Sequence, residues 1–280
     1  MQRYEHYDFT AGTAIVTGAA CGIGEQLAYA LARRGSSLAL VDRDADRLER
    51  VARQVRERAG QTVATYVVDL GDDEATHALG KRLAAEHPDA TLLINNAGVA
   101  LGGSFEQVSE EEFDWLMAIN YRAVVTLTRA LLPTLRAHPG SHLVNMSSLF
   151  GLIAPAGQVA YSTSKFAVRG FTEGLRAELA GQVGVTVVHP GGIRTGIAQN
   201  ARLAASIAGP AAEQERKTFS KLLTYPPEKA AAEIVAAVEH RRPRLLIAVS
   251  ARIPDILARL TPGRYPAILA AFQQLSTRRR

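Results

Sequence analysis

The stretch TAIVTGAACGIG, residues 13–24, decides how the rest of the chain reads. Thr13–Thr17 is a short apolar run rich in β-branched residues, the mark of a buried strand. It passes directly into Gly18, Gly22 and Gly24, and a helical pattern follows through Leu27, Ala30, Leu31 and Ala32 before ending near Gly35. Strand, glycine-rich turn and helix in that order are the context a dinucleotide-binding fingerprint requires. Glycines let the backbone approach a pyrophosphate, and the helix N-terminus offers free N–H groups and a positive dipole end. The spacing is G-x-x-x-G-x-G instead of G-x-G-x-x-G, and a plain strand–turn–helix junction would share these flanks.

The next element argues against a plain junction. Ser37–Val41 reads as a second strand, and Asp42 closes it. A carboxylate there accepts hydrogen bonds from an adenosine ribose and repels a 2′-phosphate, which points to NAD. Arg43 follows at once and could pair with a 2′-phosphate, so NADP stays open. Cys21 occupies a loop position where a basic residue would have supported NADP; as a lone thiol it reads as a small packing residue.

Leu48, Val51, Ala52 and Val55 give the next helix its apolar face, and Thr62–Val68 is the third strand. Asp69 and Leu70 follow it, placed either to meet an adenine edge or as the approach to a helix N-cap around Asp72. Thr91–Ile94, the fourth strand, opens into Asn95, Asn96, Ala97 and Gly98. This is either a structural turn or part of the ligand crevice beyond a strand's carboxyl end. Ser109–Glu112 has the form of a capping box. The helix after it carries Phe113, Leu116, Met117 and Ile119 and then Asn120, a solvated edge or a hydrogen-bonding post. His142–Met146 is the fifth strand and leads into Ser147 and Ser148. Gly184–His189 is the sixth, ending in Pro190, Gly191, Gly192, Ile193, Arg194 and Thr195, and Arg244–Val249 is the seventh. Successive βα units without repeats predict one α/β domain over residues 1–280: a Rossmann-type doubly wound parallel sheet of about seven strands, with helices on both faces. Ile197–Tyr225 interrupts the rhythm and reads as a small helical substrate lobe, about 196–226, with a helical extension over about 251–280.

Tyr161 and Lys165 stand four apart, which on a helix stacks them on one face. A phenol titrates near pH ~10, and a neighbouring ammonium lowers that value by favouring the phenolate. The pair suits general acid/base work near neutrality. By itself Y-x-x-x-K is common, and its weight comes from its surroundings.

Apolar residues make up 47% of 280, and no run is long enough to span a bilayer. The N-terminus lacks a signal-peptide core, and one cysteine excludes an intrachain disulfide, so a cytoplasmic location is expected. The seven histidines form no metal-ligand pattern. Net charge is +5. The basic C-terminal end has no nucleic-acid-binding motif beside it and reads as a solvated tail. Ile253–Leu275 repeats apolar residues at helical spacing between arginines. Such a segment could lie on a membrane surface, but Pro262 and Pro266 favour a cap over the pocket or a subunit contact.

TGAACGIG, Asp42, NNAG, Asn120, NMSS with YSTSK, and HPGGIRT, in this order, resemble the short-chain dehydrogenase/reductase family in its shorter, non-extended branch, from about residue 10 to 250. The resemblance implies a catalytic set of Asn120, Ser148, Tyr161 and Lys165, with Ser148 selected over Ser147 by its interval to the tyrosine. It also implies that NAD or NADP is surrounded by Gly18, Cys21, Gly22, Ile23, Gly24, Asp42, Arg43, Asp69, Leu70, Asn96, Ala97, Gly98, Tyr161, Lys165, Pro190, Gly191, Ile193 and Thr195. The implied reaction moves hydride between nicotinamide and a secondary alcohol or ketone. Tyr161 would carry the proton, Ser148 would hold the substrate oxygen, and Asn120 would place a relay water beside Lys165. Leu149, Phe150, Leu152, Ile153 and the lobe predict a hydrophobic substrate: a steroid, terpenoid, retinoid or fatty chain. A homodimer or homotetramer through the helices bearing Asn120 and Tyr161 is expected. A non-catalytic dinucleotide sensor or scaffold, or an epimerase or dehydratase recycling its nicotinamide, are the rival readings.

Overall fold

A computed structural model describes residues 6–196, 201–207 and 223–270. In chain order its elements are β1 (Thr13–Thr17), α1 (Gly22–Arg33), β2 (Ser37–Asp42), α2 (Ala45–Ala59), β3 (Val63–Val67), α3 (Asp73–Glu86), β4 (Ala90–Asn95), β5 (Leu101–Gly102), α4 (Glu110–Met117), α5 (Ala123–Ala137), β6 (His142–Met146), α6 (Val159–Glu178), β7 (Gly184–Pro190), β8 (Arg202–Leu203), α7 (Pro227–Glu239), β9 (Arg244–Ile247) and α8 (Val249–Leu260). Seven strands form one parallel sheet in the order β3-β2-β1-β4-β6-β7-β9. The order reverses between β1 and β4, and a crevice for ligand opens at such a switch point beyond the strands' carboxyl ends.

The two faces of the sheet follow from strand alternation. Ala14, Val16, Leu38, Leu40, Leu92 and Ile94 point to one side, where Leu27, Leu31, Leu48, Val51 and Ile234 of α1, α2 and α7 cover them. Ile15, Ala39, Val41, Leu93 and Leu143 point to the other, against Leu79, Leu83, Leu127 and Leu131 of α3 and α5. Each such leucine withdrawn from water contributes about 1.5–3 kcal/mol.

Local chemistry sets the helix ends. The Asp44 and Asp72 side chains accept from the amides of Arg47 and Ala75 at the starts of α2 and α3. Ser109 and Glu112 form the reciprocal box expected at the start of α4. Asp72 is thus the N-cap that the sequence placed just beyond Asp69, and the Asp69 carboxylate accepts from Gly71 N at 2.8 Å.

Several boundaries differ from the sequence reading. The third strand is Val63–Val67 instead of 62–68, and the fourth extends to Ala90–Asn95. The seventh stops at Ile247 instead of Val249, because Ala248 takes a left-handed φ of 69° and the chain turns straight into α8. Asp255 fixes that reversal by accepting from both Arg244 Nη atoms at 3.1 and 2.6 Å. The parallel pair β5–β8 was not anticipated. Of the expected lobe, residues 197–200 and 208–222 lie outside the described residues, as do residues 271–280 of the C-terminal extension.

Two histidines are buried in the sheet. His142 Nε2 lies 2.8 Å from Thr186 Oγ1, whose own proton goes to the Arg242 carbonyl at 2.6 Å, so the imidazole donates at Nε2. Its Nδ1 is buried without a hydrogen-bond partner. His189 has the converse arrangement, with Nδ1 donating to the Ser148 carbonyl at 3.1 Å and Nε2 unpartnered. Burial, helped by the Arg241 charge, pushes His142 down to about 3. Burial pushes His189 down to about 4, against the opposing hydrogen bond to Ser148. Unfolded, both would take a proton below pH ~6.5. Stability is therefore complete above that pH and falls as acidity approaches the folded values. Urea titrations between pH 7 and 4.5 should show unfolding free energy declining with a slope that approaches two protons, about 2.7 kcal/mol per pH unit. His142→Asn should roughly halve that slope; an unchanged slope would show that this imidazole is not held neutral.

Candidate active site

Thr17 ends β1, and its hydroxyl accepts from the amides of both Asn96 and Ala97 at 3.0 Å. The Asn96 side chain returns the contact by donating to the carbonyls of Thr17 at 2.9 Å and Gly18 at 3.2 Å. The loops after β1 and β4 are thereby stitched together where the sheet order reverses. Gly18 and Gly22 have φ values of 67° and 60°, which a side chain resists. A Cβ at Gly24 would run into the Gly18 carbonyl, and one at Gly22 would meet Thr195 Cγ2 at 3.0 Å. Cys21 precedes α1 in extended conformation, and its side chain makes no capping hydrogen bond. Burial, then the Asp42 carboxylate, push its thiol up, which fits packing and not redox chemistry.

Asp42 Oδ2 accepts from Ala20 N at 3.0 Å and Oδ1 from Asp44 N at 3.1 Å, so the carboxylate is held against the glycine loop. Beyond it lies a cleft of about 390 Å³ lined by Gly18, Cys21, Gly22, Ile23, Asp42, Arg43, Asp69, Leu70, Asn96, Ala97, Gly98 and Thr195. Gly24 is buried beneath the loop and does not line it. Arg47, Trp115 and Arg202 line it too and were not singled out in the sequence. Thr17 was also missed; its signal was the threonine directly before the first glycine.

A second cleft of about 590 Å³ shares Ile23, Asn96, Gly98 and Thr195 with the first, which makes the two continuous. Ser148, Tyr161, Lys165, Pro190, Gly191 and Ile193 line it. Ser148 Oγ accepts from Phe150 N at 3.1 Å, which directs its proton elsewhere. The serine stands close enough to the phenol of Tyr161 to favour its ionised form. Phe150 packs edge-on against the Tyr161 ring, with centroids 5.9 Å apart, and limits its swing.

Asn120 sits in a π-helical turn, Ala118–Arg122, between α4 and α5. Such wide turns re-aim a side chain at functional sites. Its carbonyl oxygen accepts from Val99 N at 2.8 Å, and its Nδ2 donates to Val99 O and Ser164 Oγ, both at 3.0 Å. Ser164 in turn donates to the Tyr161 carbonyl at 2.8 Å. Asn120 is thus a hydrogen-bonding post and not a solvated edge.

Lys165 corrects the expected electrostatics. Its Nζ donates to the Met146 carbonyl at 3.2 Å and lies 5.8 Å from the Tyr161 ring centroid. Burial pushes the phenol of Tyr161 above its ordinary value, with Ser148 pulling the other way. Burial also pushes Lys165 down to about 8. Desolvation, which penalises the charged form of each group, sets both directions.

The residues fit a nicotinamide dinucleotide: Gly18 and Gly22 take positive φ where a Cβ would crowd Ala97 and Thr195, and Gly22 and Ile23 at the start of α1 line the cleft. The family model for short chain dehydrogenases matches residues 12–206. The chain belongs to the short-chain dehydrogenase/reductase family. SadH of Mycobacterium tuberculosis is 36% identical over 271 residues, covering 94% of this chain and 95% of its own. A family structure from Burkholderia phymatum in complex with NAD superposes with a TM-score of 0.82 at 26% identity, covering 91% of this chain and 95% of that one. A Sphingobium yanoikuyae short-chain dehydrogenase in complex with NADPH gives 0.75 at 27% identity, with 95% of both chains covered. The protein is an NAD(P)-dependent oxidoreductase of this family.

Gly22→Val would fill the cradle and oppose a left-handed φ. Fluorescence titration with NADH should show affinity falling by at least about tenfold, equivalent to ~1.4 kcal/mol. Affinity equal to wild type would place the nucleotide elsewhere.

Proposed function

We propose that this protein transfers hydride between NAD and a secondary alcohol or ketone on an apolar small molecule. The observation that carries the reading is the distribution of polarity in the larger cleft. Ser148, Tyr161 and Lys165 gather at one end, and Leu149, Phe150, Ile153, Pro155, Leu223, Pro254 and Leu269 line much of the rest. Leu152, expected in this lining, is buried in the protein instead. A steroid-, terpenoid-, retinoid- or fatty-chain-like skeleton suits such a surface, with its one oxygen at the polar end.

The bound cofactor supplies the hydride chemistry. Gly18, Gly22 and the amides beginning α1 would hold its pyrophosphate, and Asp42 its adenosine ribose. Asp42 favours NAD by repelling a 2′-phosphate, although Arg43 and Arg47 line the same end of the cleft. In reduction, Ser148 donates to the substrate oxygen and Tyr161 delivers the proton as negative charge develops there. Oxidation reverses the transfer, with Tyr161 receiving the proton. Lys165 holds positive charge beside the ring, and Asn120 fixes Val99 and the helix backbone through Ser164. A relay water on Asn120 would need the second lone pair of its carbonyl oxygen, since both amide protons are committed. A homo-oligomer through α6 is supported by the exposed Val159 and Phe166 on that helix.

Tyr161→Phe should leave NADH binding within about twofold and reduce turnover by roughly 10²–10⁴-fold. Retained turnover would return the chain to a non-catalytic dinucleotide sensor. Asp42→Asn keeps a hydrogen-bond acceptor and removes the charge, so the NAD-to-NADP ratio of kcat/KM should fall by about tenfold or more. A ratio that stays put would assign cofactor choice to the arginines. Lys165 is charged below about 8 and neutral above it. Reduction needs both protons in place, so its kcat/KM should be level near neutrality and decline above about pH 8. Oxidation needs the phenolate, so its rate should climb from pH 6 to 8. Parallel pH profiles in the two directions test this, and identical profiles would remove Tyr161 as the proton carrier.

A further inference from the structure

Helix α8 has two working faces. Ser250 and Pro254 turn toward the substrate cleft, followed by Pro266, Leu269 and Ala270 of the next helical segment. Tyr265 holds that segment in place, its hydroxyl accepting from Ala154 N at 3.2 Å in the loop beyond Ser148. A second face, about a third of a turn away, is apolar and bare: Val249, Ile253, Ile256 and Leu260 are 64%, 63%, 57% and 77% exposed. At ~100° per residue these four positions fall within an arc of about 60°. Isolated exposed aliphatics need no explanation, but a one-sided stripe on a helix does.

Charge says what would cover it. From Val249 to the C-terminus the chain carries Arg252, Arg259, Arg264, Arg278, Arg279 and Arg280, and its one acidic residue is Asp255. That carboxylate is buried and accepts from Arg244 and Arg259, so it presents no negative charge to solvent. Arg252 and Arg259 run along one edge of the stripe, and both are exposed. An aliphatic stripe edged by arginines, with no exposed carboxylate on the segment, complements a surface that is apolar inside and anionic outside. Among the described residues no helix is long and apolar enough to cross a membrane, so the fit is to a helix lying in the interface plane.

We propose that the outer face of α8 is a docking surface for an anionic lipid bilayer. Docked, it sets the wall of the apolar cleft at the bilayer surface, where molecules of the class inferred above concentrate. Only this last step rests on the apolar-substrate reading; the docking itself does not.

The test is co-sedimentation of the full chain with vesicles, about 50 mM salt first and about 500 mM second. One set is phosphatidylcholine with phosphatidylglycerol, and the other is phosphatidylcholine alone. The wild type should partition at least about tenfold better onto the anionic vesicles in low salt and lose most of that in high salt. Ile253→Ser with Leu260→Ser, and separately Arg252→Glu, should each weaken partition by about tenfold. Both variants should keep wild-type NADH affinity and kcat/KM on a soluble ketone, because none of these side chains lines either cleft. Failure of wild type to partition, or serine variants that partition undiminished, would overturn the proposal. So would a dimer in sedimentation velocity that the serine variants convert to monomer while vesicles bind neither, which would assign the stripe to a second copy of this chain. None of these outcomes touches hydride transfer, so the two readings fail separately.

Discussion

An ammonium held almost without water governs the design of this site. Lys165 is 4% exposed and has the Met146 carbonyl within hydrogen-bond reach. A buried cation is tolerated only where its surroundings are fixed, because a partner that drifts leaves the charge unsupported. The neighbouring structure is fixed accordingly. Ser147 donates to the Lys165 carbonyl at 2.8 Å, Ser164 ties the turn above to Tyr161, and Asn120 clamps Ser164 to Val99. A methyl at Gly98 would sit 3.1 Å from Lys165 Nζ and 3.2 Å from Asn120 Oδ1, so the loop after β4 closes over both. The contacts that pack this region are the ones that hold Lys165 in position.

Beneath this, a ladder of amides and hydroxyls crosses the core. Asn95 donates to Asn145 at 2.8 Å and to Thr128 at 3.1 Å, and Asn145 donates to Thr172 at 3.0 Å. The ladder joins β4, β6, α5 and α6 and fixes their relative positions more narrowly than aliphatic packing would, because a hydrogen bond has a direction. It supports the floor on which Ser148 and Tyr161 stand.

Much of this was legible in the chain. Strands that are buried on both faces announce themselves as apolar runs, and Thr13–Thr17, Ser37–Val41 and Gly184–His189 each did. The glycine loop, Asp42 and the Tyr161–Lys165 pair came from local spacing, which survives folding unchanged, whereas Ser148 was singled out by the family resemblance. What escaped depends on long-range fit. Leu101–Gly102 is too short to read as a strand until Arg202–Leu203 lies beside it. The end of β9 is set by Asp255 reaching back to Arg244, a contact with no periodic signature. The phenol's upward displacement was also out of reach, since spacing places an ammonium nearby but does not report how much water both groups lose.

The wide turn at Ala118–Arg122 bears on which changes of length this chain can accept. It holds one residue more than a regular helical turn, and that surplus brings Asn120 to Val99. Length variation in the loops beyond the strands shifts only local backbone. Deleting a single residue between Met117 and Ala123 would rewind the helix and rotate Asn120 away from its partners. The segment that anchors Asn120, and through Ser164 the Tyr161 backbone, is thus less tolerant of a change in length than the loops at the rim.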